Sequence, residues 1–195
     1  MKKPILLFIA LLFLVVSADA NYYGVIARKN YVPPTCVGDK GFNVVITPVG
    51  EGGDGYGEST NLFSTKFTHS GATCTVNYIE IYSDDVSAGA FKAGIYDNSG
   101  ADPNNRLAQL VTPATPPAGA AWAGGALDTV VTLTNGSTYW LAFQADATIG
   151  YYYDAITGGD SVYCAGACTY AASMADPYPA STDYDRGFAI RVSNQ

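Results

Sequence analysis

Histidine and charged residues are scarce in this sequence. It contains one histidine, His69, and only 14% charged residues. A Ser–His–Asp site would have to use that histidine, and neither a G-x-S-x-G nor an H-E-x-x-H motif occurs. Glutamates are few, and most aspartates stand beside Gly, Asn or Pro, where they form turns rather than the carboxylate pair of a glycosidase. We therefore expect that the protein is not an enzyme.

Basic residues are also few. Ten Lys and Arg stand against 17 Asp and Glu, which gives a formal net charge of −7. A nucleic-acid or anionic-membrane partner requires clustered Lys and Arg that displace counterions, and here they are scattered, so we expect neither partner. Tyrosine is abundant, at 15 residues. Such a composition suits a surface covered by a ligand or by further copies of the chain, and it equally suits aromatic-rich strands.

Long apolar runs are absent after residue 20. Lys2 and Lys3 precede the apolar stretch PILLFIALLFLVV, and Ala18-Asp19-Ala20 matches an A-x-A cleavage site. This pattern predicts a signal peptide over residues 1–20, with the mature chain starting at Asn21. The apolar stretch is short for a membrane span. We expect a soluble protein without membrane insertion, secreted or extracellular or held at the cell surface.

The four cysteines are Cys36, Cys74, Cys164 and Cys168. An even number in an exported chain favours two disulfides. Three connectivities are open, and the preferred one closes the small CAGAC loop by Cys164–Cys168 and ties the N-terminal segment to a strand by Cys36–Cys74. A zinc site is the alternative, although the usual C-x-x-C spacing is missing.

No segment carries the 3.6-residue apolar stripe of a helix. Short β-rich runs alternate with clusters of Gly, Asp, Asn and Pro, which predicts an all-β, antiparallel β-sandwich, jelly-roll-like and built as a single domain. Residues 21–59 would form an N-terminal extension with edge strands and residues 60–195 the sandwich core. The predicted strands are Tyr22–Ala27, Phe42–Thr47, Asn61–Thr68, Thr75–Tyr82, Phe91–Tyr96, Leu107–Val111, Thr129–Leu133, Thr138–Ala145, Tyr151–Tyr153, Thr169–Ala172 and Phe188–Val192.

The stretch DTVVTLTNGSTYWLAFQA predicts a β-hairpin. A three-residue loop, Thr134-Asn135-Gly136, places Gly136 in the left-handed region and pairs Val131 with Tyr139. One face of the hairpin then gathers the large apolar side chains, namely Val131, Leu133, Tyr139, Leu141 and Phe143. Trp140 points the other way, either as an outer-face aromatic or beneath a covering layer.

Four stretches, NLFSTKFTHSG, TVNYIEIYSDD, AGIYDNSGADPNNRLAQLVT and TLTNGSTYWLAFQAD, together resemble a secreted prokaryotic β-sandwich module of cell-surface, adhesin and appendage-type proteins. The likeness runs from Asn61 to Asp146, with GFAIRV as a closing strand. The resemblance implies a sandwich fold and a role in surface architecture or carbohydrate binding. It implies no catalytic residues. The N-terminal cysteine-bearing extension and the CAGAC loop depart from the pattern.

Two loops carry residues suited to ligands. Tyrosine with aspartate near a loop suits a glycan, because aromatic faces stack on sugar rings and carboxylates accept hydroxyl hydrogen bonds; it equally suits a protein contact. The candidate ligand-binding residues are Trp140, Tyr151, Tyr152, Tyr153 and Asp154. The loop DNSGADPNN offers oxygen donors for calcium, and the candidate ligands are Asp97, Asn98, Asp102 and Asn104. The alternative to a calcium site in this loop, which the composition favours, is a turn stabilised by Asx hydrogen bonds. We expect no other cofactor.

Two functions follow from these observations. The first is a non-catalytic secreted structural or surface protein that associates with itself or with other surface proteins, in an appendage or matrix. The segment NYYGVIARKNYVPPT could then add as a strand to a neighbouring subunit's sheet; the simpler alternative is an edge strand of its own sheet. The second function is a stand-alone carbohydrate-binding, lectin-like module.

Overall fold

In the part of the chain that the structure describes, the short β-rich runs form strands joined by turns and loops. The computed structural model describes residues 35–38, 40–42, 55–56, 60–84, 89–155, 160–166 and 168–195, and these residues form no helix. A helix long and apolar enough to span a membrane is accordingly absent from this part of the chain. The predicted signal peptide, the predicted strand Tyr22–Ala27 and most of Phe42–Thr47 lie outside the described residues.

The strands are numbered in chain order. They are β1 Lys40–Phe42, β2 Gly55–Tyr56, β3 Leu62–Thr68, β4 Cys74–Asp84, β5 Phe91–Ser99, β6 Asp102–Gln109, β7 Ala121–Leu133, β8 Thr138–Ala145, β9 Gly150–Tyr151, β10 Tyr153–Ala155, β11 Ser161–Cys164, β12 Thr182–Asp183, β13 Arg186–Phe188 and β14 Ile190–Ser193.

Two six-stranded antiparallel sheets pack against each other. Sheet A has the order β1-β14-β4-β9-β2, with β7 paired to the opposite edge of β4. Sheet B has the order β12-β11-β3-β8-β5-β6, and β10 pairs with β13 as a separate two-stranded sheet. The predicted all-β, antiparallel β-sandwich is therefore confirmed.

The main core lies between the two sheets. Along β4, Ile79 and Ile81 are buried while Tyr78, Glu80 and Tyr82 are only half-buried, as the period of two in a strand requires. A bulge at Asn77 shifts this alternation, so Val76 is buried as well. Large apolar side chains from both sheets fill the space between them, among them Phe63, Phe91, Ile95, Leu133, Leu141, Phe143 and Phe188.

The predicted hairpin between β7 and β8 is wrong, although its apolar face is right. β7 pairs with β4 in sheet A, whereas β8 lies between β3 and β5 in sheet B. Gly136 does take a left-handed φ of 76°, within a turn closed by a Ser137 N–H to Thr134 C=O hydrogen bond. This turn leads from one sheet to the other. The five predicted face residues meet across the sandwich instead of across a hairpin.

Further strand predictions differ from the structure: Leu107–Val111 is replaced by β6, Tyr151–Tyr153 is divided between β9 and β10, and β11 was not predicted. Thr169–Ala172 is not a strand. Conversely, β7 begins at Ala121, inside a Gly- and Ala-rich stretch that the sequence suggests is a break. The small residues serve close packing there, since a Cβ at Gly124 would lie 1.9 Å from the Ile79 carbonyl oxygen.

A segment that we call the strap, residues 165–166 and 168–181, covers the outer face of sheet B. Beneath it lies a second apolar cluster, made of Leu62, Tyr96, Trp140, Ala142, Val162, Cys164, Cys168, Met174 and Tyr178. Sheet side chains bind the strap backbone: the Tyr96 hydroxyl donates to Ala175 O at 2.7 Å, and Gln109 Oε1 accepts from Met174 N at 2.9 Å. The outer face of sheet B is thereby sealed by the chain itself.

Both predicted disulfides are present. Cys36–Cys74 joins the N-terminal segment to the first residue of β4, with a Cα–Cα distance of 4.9 Å. Cys164–Cys168 closes the start of the strap. Two such links are consistent with an oxidising, extracellular environment.

Candidate functional site

The outer face of sheet A carries an aromatic cluster, here called the platform: Tyr78, Glu80, Tyr82, Trp122, Tyr152 and Arg191. The register explains its assembly. Tyr82 stands opposite Trp122 of β7, and Glu80 stands opposite Arg191 of β14. Side chains at directly opposed positions of an antiparallel pair are close enough to pack. All six are half-buried, so they remain in contact with solvent.

Three rings of the platform, those of Trp122, Tyr82 and Tyr152, form one continuous packed row. The Arg191 guanidinium lies over the Trp122 ring, 4.0 Å from its centroid. Tyr82 packs edge-on against Trp122 at 5.4 Å and against Tyr152 at 5.0 Å. Edge-to-face aromatic pairs and cation–π stacking each contribute about 0.5–1.5 kcal/mol. The row is therefore held in a fixed arrangement.

Polar contacts fix the ends of this row. Arg191 donates from Nε and Nη2 to Glu80 Oε2, at 2.9 and 2.8 Å, and both side chains are less than one-fifth exposed. The Tyr152 hydroxyl donates to Asp84 Oδ2 at 3.3 Å, and the Tyr82 hydroxyl donates to Ala120 O at 3.2 Å. The platform thus presents rigid ring surface beside two carboxylates and holds no activated nucleophile among its members. This chemistry suits binding.

The five predicted ligand-binding residues do not form one site. Trp140 is fully buried under the strap, and its Nε1 donates to Asn98 Oδ1 at 2.9 Å. Tyr151 is buried in the main core. Neither ring offers a face to a ligand. Tyr152 belongs to the platform, and Asp154 pairs through its backbone with Gly187 in the small sheet; the Asp154 side chain lies outside the described parts.

Tyr153 belongs to a second aromatic cluster at the small sheet. The Arg186 guanidinium lies 4.1 Å from the Tyr153 ring centroid and 4.9 Å from that of Tyr184. Tyr163 packs on Tyr184 at 4.9 Å. Burial raises the pKa of the Tyr184 phenol, as it does more strongly for Tyr151 beneath it. Arg186 therefore occupies one face of each of these two rings.

Two of the four predicted calcium ligands, Asp97 and Asn98, use their side-chain oxygens within the protein. Asp97 accepts from Asn105 N at 2.7 Å and from Asn105 Nδ2 at 3.2 Å. Asn98 accepts from Trp140 and donates to Gly100 O at 2.9 Å. Asp102 is the exposed first residue of β6 and stands opposite Ser99, and the Asn104 backbone carbonyl accepts from Tyr178 N. Among the residues that the structure describes, no three His, Cys, Asp or Glu side chains are grouped to hold a metal. The turn alternative accounts for these contacts.

His69, the residue that any Ser–His–Asp site would need, is buried beside the Cys36–Cys74 disulfide. Its Nε2 bonds Ala72 O at 3.0 Å and lies 3.7 Å from Cys74 Sγ. Its Nδ1 has no hydrogen-bond partner among the described residues. These contacts connect the ring to the turn before β4.

Trp122 and Arg191 are platform residues that the sequence did not single out. The signal for Arg191 was its place between Ile190 and Val192 in GFAIRV, which puts it on the face opposite to two core residues. Trp122 gave no such signal, because the Ala and Gly around it predict a break. Tyr78, Glu80 and Tyr82 could be found from alternation within β4.

The chain was compared with protein-family models, with curated proteins and with solved structures. None of the three comparisons gives a match. The fold and the platform therefore stand on the chain's own geometry.

Proposed function

We propose that the protein is a non-catalytic, exported structural or surface protein, and that its copies associate with one another through the platform. The observation that carries this proposal is the asymmetry of the two sheets. The outer face of sheet B is sealed by the strap, whereas the outer face of sheet A keeps a rigid row of half-exposed Tyr, Trp and Arg side chains.

These side chains are the ones that dominate protein interfaces. Tyr, Trp and Arg are enriched at interface centres, and charged residues other than Arg are depleted there. The platform has one acid, Glu80, which is already paired with Arg191. Association would therefore bury rings and a neutralised ion pair rather than an unpaired charge. The small charged fraction of the whole chain, 14%, also limits repulsion between copies.

Size-exclusion chromatography with light scattering, followed by negative-stain microscopy, tests the proposal on the mature chain. We expect oligomers or filaments for the parent protein. Trp122→Ala should raise the concentration needed for half-assembly at least about tenfold, since truncation of a central aromatic costs about 2 kcal/mol or more at an interface. A parent chain that stays monomeric at every concentration would contradict the proposal.

Val111→Ser is the matched control. Val111 is a large apolar side chain that is 63% exposed and lies outside the platform. Its replacement should leave the assembly concentration unchanged. Equal effects of W122A and V111S would mean that general surface hydrophobicity, and not the platform, drives association.

Carbohydrate binding is the second candidate. The observation in its favour is the carboxylate of Asp84 beside the Tyr152 hydroxyl at the end of the aromatic row, a pairing of ring and acceptor that suits a sugar. A glycan array probed with the mature chain, with and without Ca²⁺, should then give binding that W122A removes and V111S keeps. An array without signal in both conditions would exclude this candidate.

A further inference from the structure

Strand edges of a sandwich are the sites where another chain can pair, and the two long described edges differ in how they are closed. On the outer edge of β6, Asn104 O accepts from Tyr178 N at 2.7 Å. Two residues further along, Arg106 N donates to Asp176 Oδ1 at 3.0 Å. Such side-chain and loop caps prevent edge-to-edge pairing. The other long edge is β7, and β4 is its only partner among the named strands of sheet A.

The register shows which residues of β7 direct their main-chain groups toward β4. Tyr82 N donates to Ala189 O, on the β14 side of β4. Because the N–H and C=O groups of successive strand residues point to opposite sides, those of the neighbouring Ile81 point to β7. Ile81 stands opposite Ala123, so the N–H and C=O of Ala123 point back to β4.

Alternation along β7 then turns the N–H and C=O groups of Trp122, Gly124 and Ala126 away from β4. Ala126 confirms this direction, because its C=O accepts from Val111 N at 3.0 Å and Val111 is not part of β4. The described residues provide no hydrogen-bond partner for the outward groups of Trp122 and Gly124. Residues Ala121–Gly125 are therefore an unpaired stretch of strand, here called the open edge.

The open edge lacks the devices that protect an exposed strand. Its sequence, AWAGG, contains no charged side chain and no proline. Its two ends are set by neighbouring parts of the chain. At one end, Val111 occupies the edge beside Ala126. At the other end, β7 begins at Ala121, directly after a bend at residues 118–120. An added strand therefore has room to pair along Ala121–Gly125 alone.

We infer that the open edge pairs with the open edge of a second copy of this chain, antiparallel and about a twofold axis at Ala123. This inference rests on the proposed self-association, since Trp122 belongs to both the platform and the open edge. In this register Trp122 of each copy stands opposite Gly124 of the other. Each of these two pairs exchanges two N–H···O=C hydrogen bonds, because the groups that meet are the outward ones. The A sheets of the two copies then form one continuous sheet across a closed, isologous contact.

The length of the open edge favours a second copy over an unrelated peptide. In the antiparallel register, Ala121 of each copy stands opposite Gly125 of the other. The chain that precedes Ala121 bends at residues 118–120, so it leaves the edge before it reaches Val111 of the other copy. A longer extended peptide would meet Val111 instead.

The side chains of the open edge also fit those of a second copy. Trp122 is its one large side chain, and its ring packs against the Arg191 guanidinium of its own sheet. Opposite it stands Gly124, which can carry no side chain because the Ile79 carbonyl lies too close. At the axis, the two Ala123 methyl groups suit the Cα–Cα distance of about 4.5 Å in a non-hydrogen-bonded pair. Within this register, no two bulky or like-charged side chains are opposed.

Two cysteine substitutions in the mature chain test the position of the axis. Ala123→Cys places two thiols opposite each other, at a Cα–Cα distance within the range of about 4.4–6.8 Å that a disulfide needs. Ala121→Cys is the matched control on the same face, because its two copies lie about 13 Å apart along the strands. After mild oxidation, we expect A123C to give a dimer linked through position 123 on a non-reducing gel, and A121C to stay unlinked. Equal linkage of both variants, or none of A123C where the parent chain assembles, would overturn the inference.

Amide hydrogen exchange of the parent chain provides a test without any substitution. In the dilute monomer, the Trp122 and Gly124 amides should exchange as unpaired amides do, and assembly should slow them at least about tenfold. The Ala123 amide, which points to β4, should be protected in both states and is the internal control. Trp122 and Gly124 amides that are already protected in the monomer would show that another part of the same chain covers the open edge, and the inference would fail.

These measurements separate the failure of this inference from that of the proposed function. Assembly that W122A weakens, without linkage of A123C and without slower exchange at Gly124, would refute pairing at the open edge and leave association through the platform. A parent chain that stays monomeric at every concentration would refute both.

Discussion

The two tryptophans of this chain both point away from the main core, one on each sheet, and have opposite surroundings. Trp140 points outward from sheet B and is fully buried under the strap, with its indole N–H bonded to Asn98. Trp122 points outward from sheet A and is half-buried beneath the Arg191 guanidinium. The same residue type on the same kind of surface is thus a core residue in one sheet and a contact residue in the other. The difference is made by the strap, which is distant in sequence from both.

Replacement of each tryptophan by alanine should show the largest difference between the outer faces of the two sheets. Trp140→Ala opens a large cavity beneath the strap and should lower the free energy of unfolding by about 3–5 kcal/mol. Trp122→Ala loses one cation–π contact and one edge-to-face pair and should cost only about 1–2 kcal/mol. Urea unfolding of the two variants, followed by the fluorescence of the remaining tryptophan, measures both. Similar losses would mean that the platform packs as tightly as the strap.

Removal of the strap disulfide tests whether side-chain bonds or the covalent link hold the strap down. Chain entropy for so short a loop gives the Cys164–Cys168 link about 2 kcal/mol, whereas the longer Cys36–Cys74 loop gives about 4 kcal/mol. We expect the double variant C164S/C168S to lose about 2 kcal/mol and to keep Trp140 shielded from iodide quenching. Full quenching of Trp140 in the folded variant would show that the disulfide alone keeps the strap in place.

Alkaline pH should destabilise the fold through the two buried tyrosines of the cluster beneath the strap. Burial raises the pKa of the Tyr178 and Tyr96 phenols well above 10. Their neutral forms therefore favour the fold fully below pH 10, and this contribution falls as the pH rises above 10, where only the unfolded chain ionises freely. Tyr178→Phe should lower the free energy of unfolding by about 1 kcal/mol below pH 10, because the hydrogen bond from Tyr178 to Leu62 O is lost. Above pH 10, the free energy of unfolding of this variant should fall less steeply with pH than that of the parent. Unfolding midpoints measured from pH 8 to 11 check this; parallel pH profiles of parent and variant would contradict it.

The smallest effect concerns accessibility rather than stability. In the folded protein, iodide should quench the fluorescence of Trp122 in the variant W140F and leave that of Trp140 in W122F nearly unquenched. Assembly should then protect Trp122 in W140F, because the platform becomes covered. Quenching of Trp122 that is unchanged by assembly would place the contact surface elsewhere.

Local patterns were sufficient for much of this fold. The alternation in β4, the bounds of β8, the Cys164–Cys168 link and the sandwich class all follow from residues close in sequence. The Cys36–Cys74 link followed from the even number of cysteines once Cys164–Cys168 was preferred. The pairings of β7 and β8 did not, since the Asn-Gly signal favours a local hairpin. The actual partners, β4 for β7 and β3 and β5 for β8, are distant from that turn in the sequence. The platform and the strap needed the same long-range information. Trp122 meets Arg191, and Tyr82 meets Tyr152, only after the strands of sheet A have paired. Trp140 shares a cluster with Cys164 and Cys168 only after the strap has folded over sheet B.

The Cys36–Cys74 link has a mechanical consequence. Tension applied to the chain at Thr35 passes through the disulfide directly into β4, which lies between β7 and β14. The covalent path through the disulfide bypasses residues 37–73, which contain β1, β2 and β3. A molecule pulled at Thr35 would therefore resist with the central strand of sheet A, without first extending the loop that the disulfide closes.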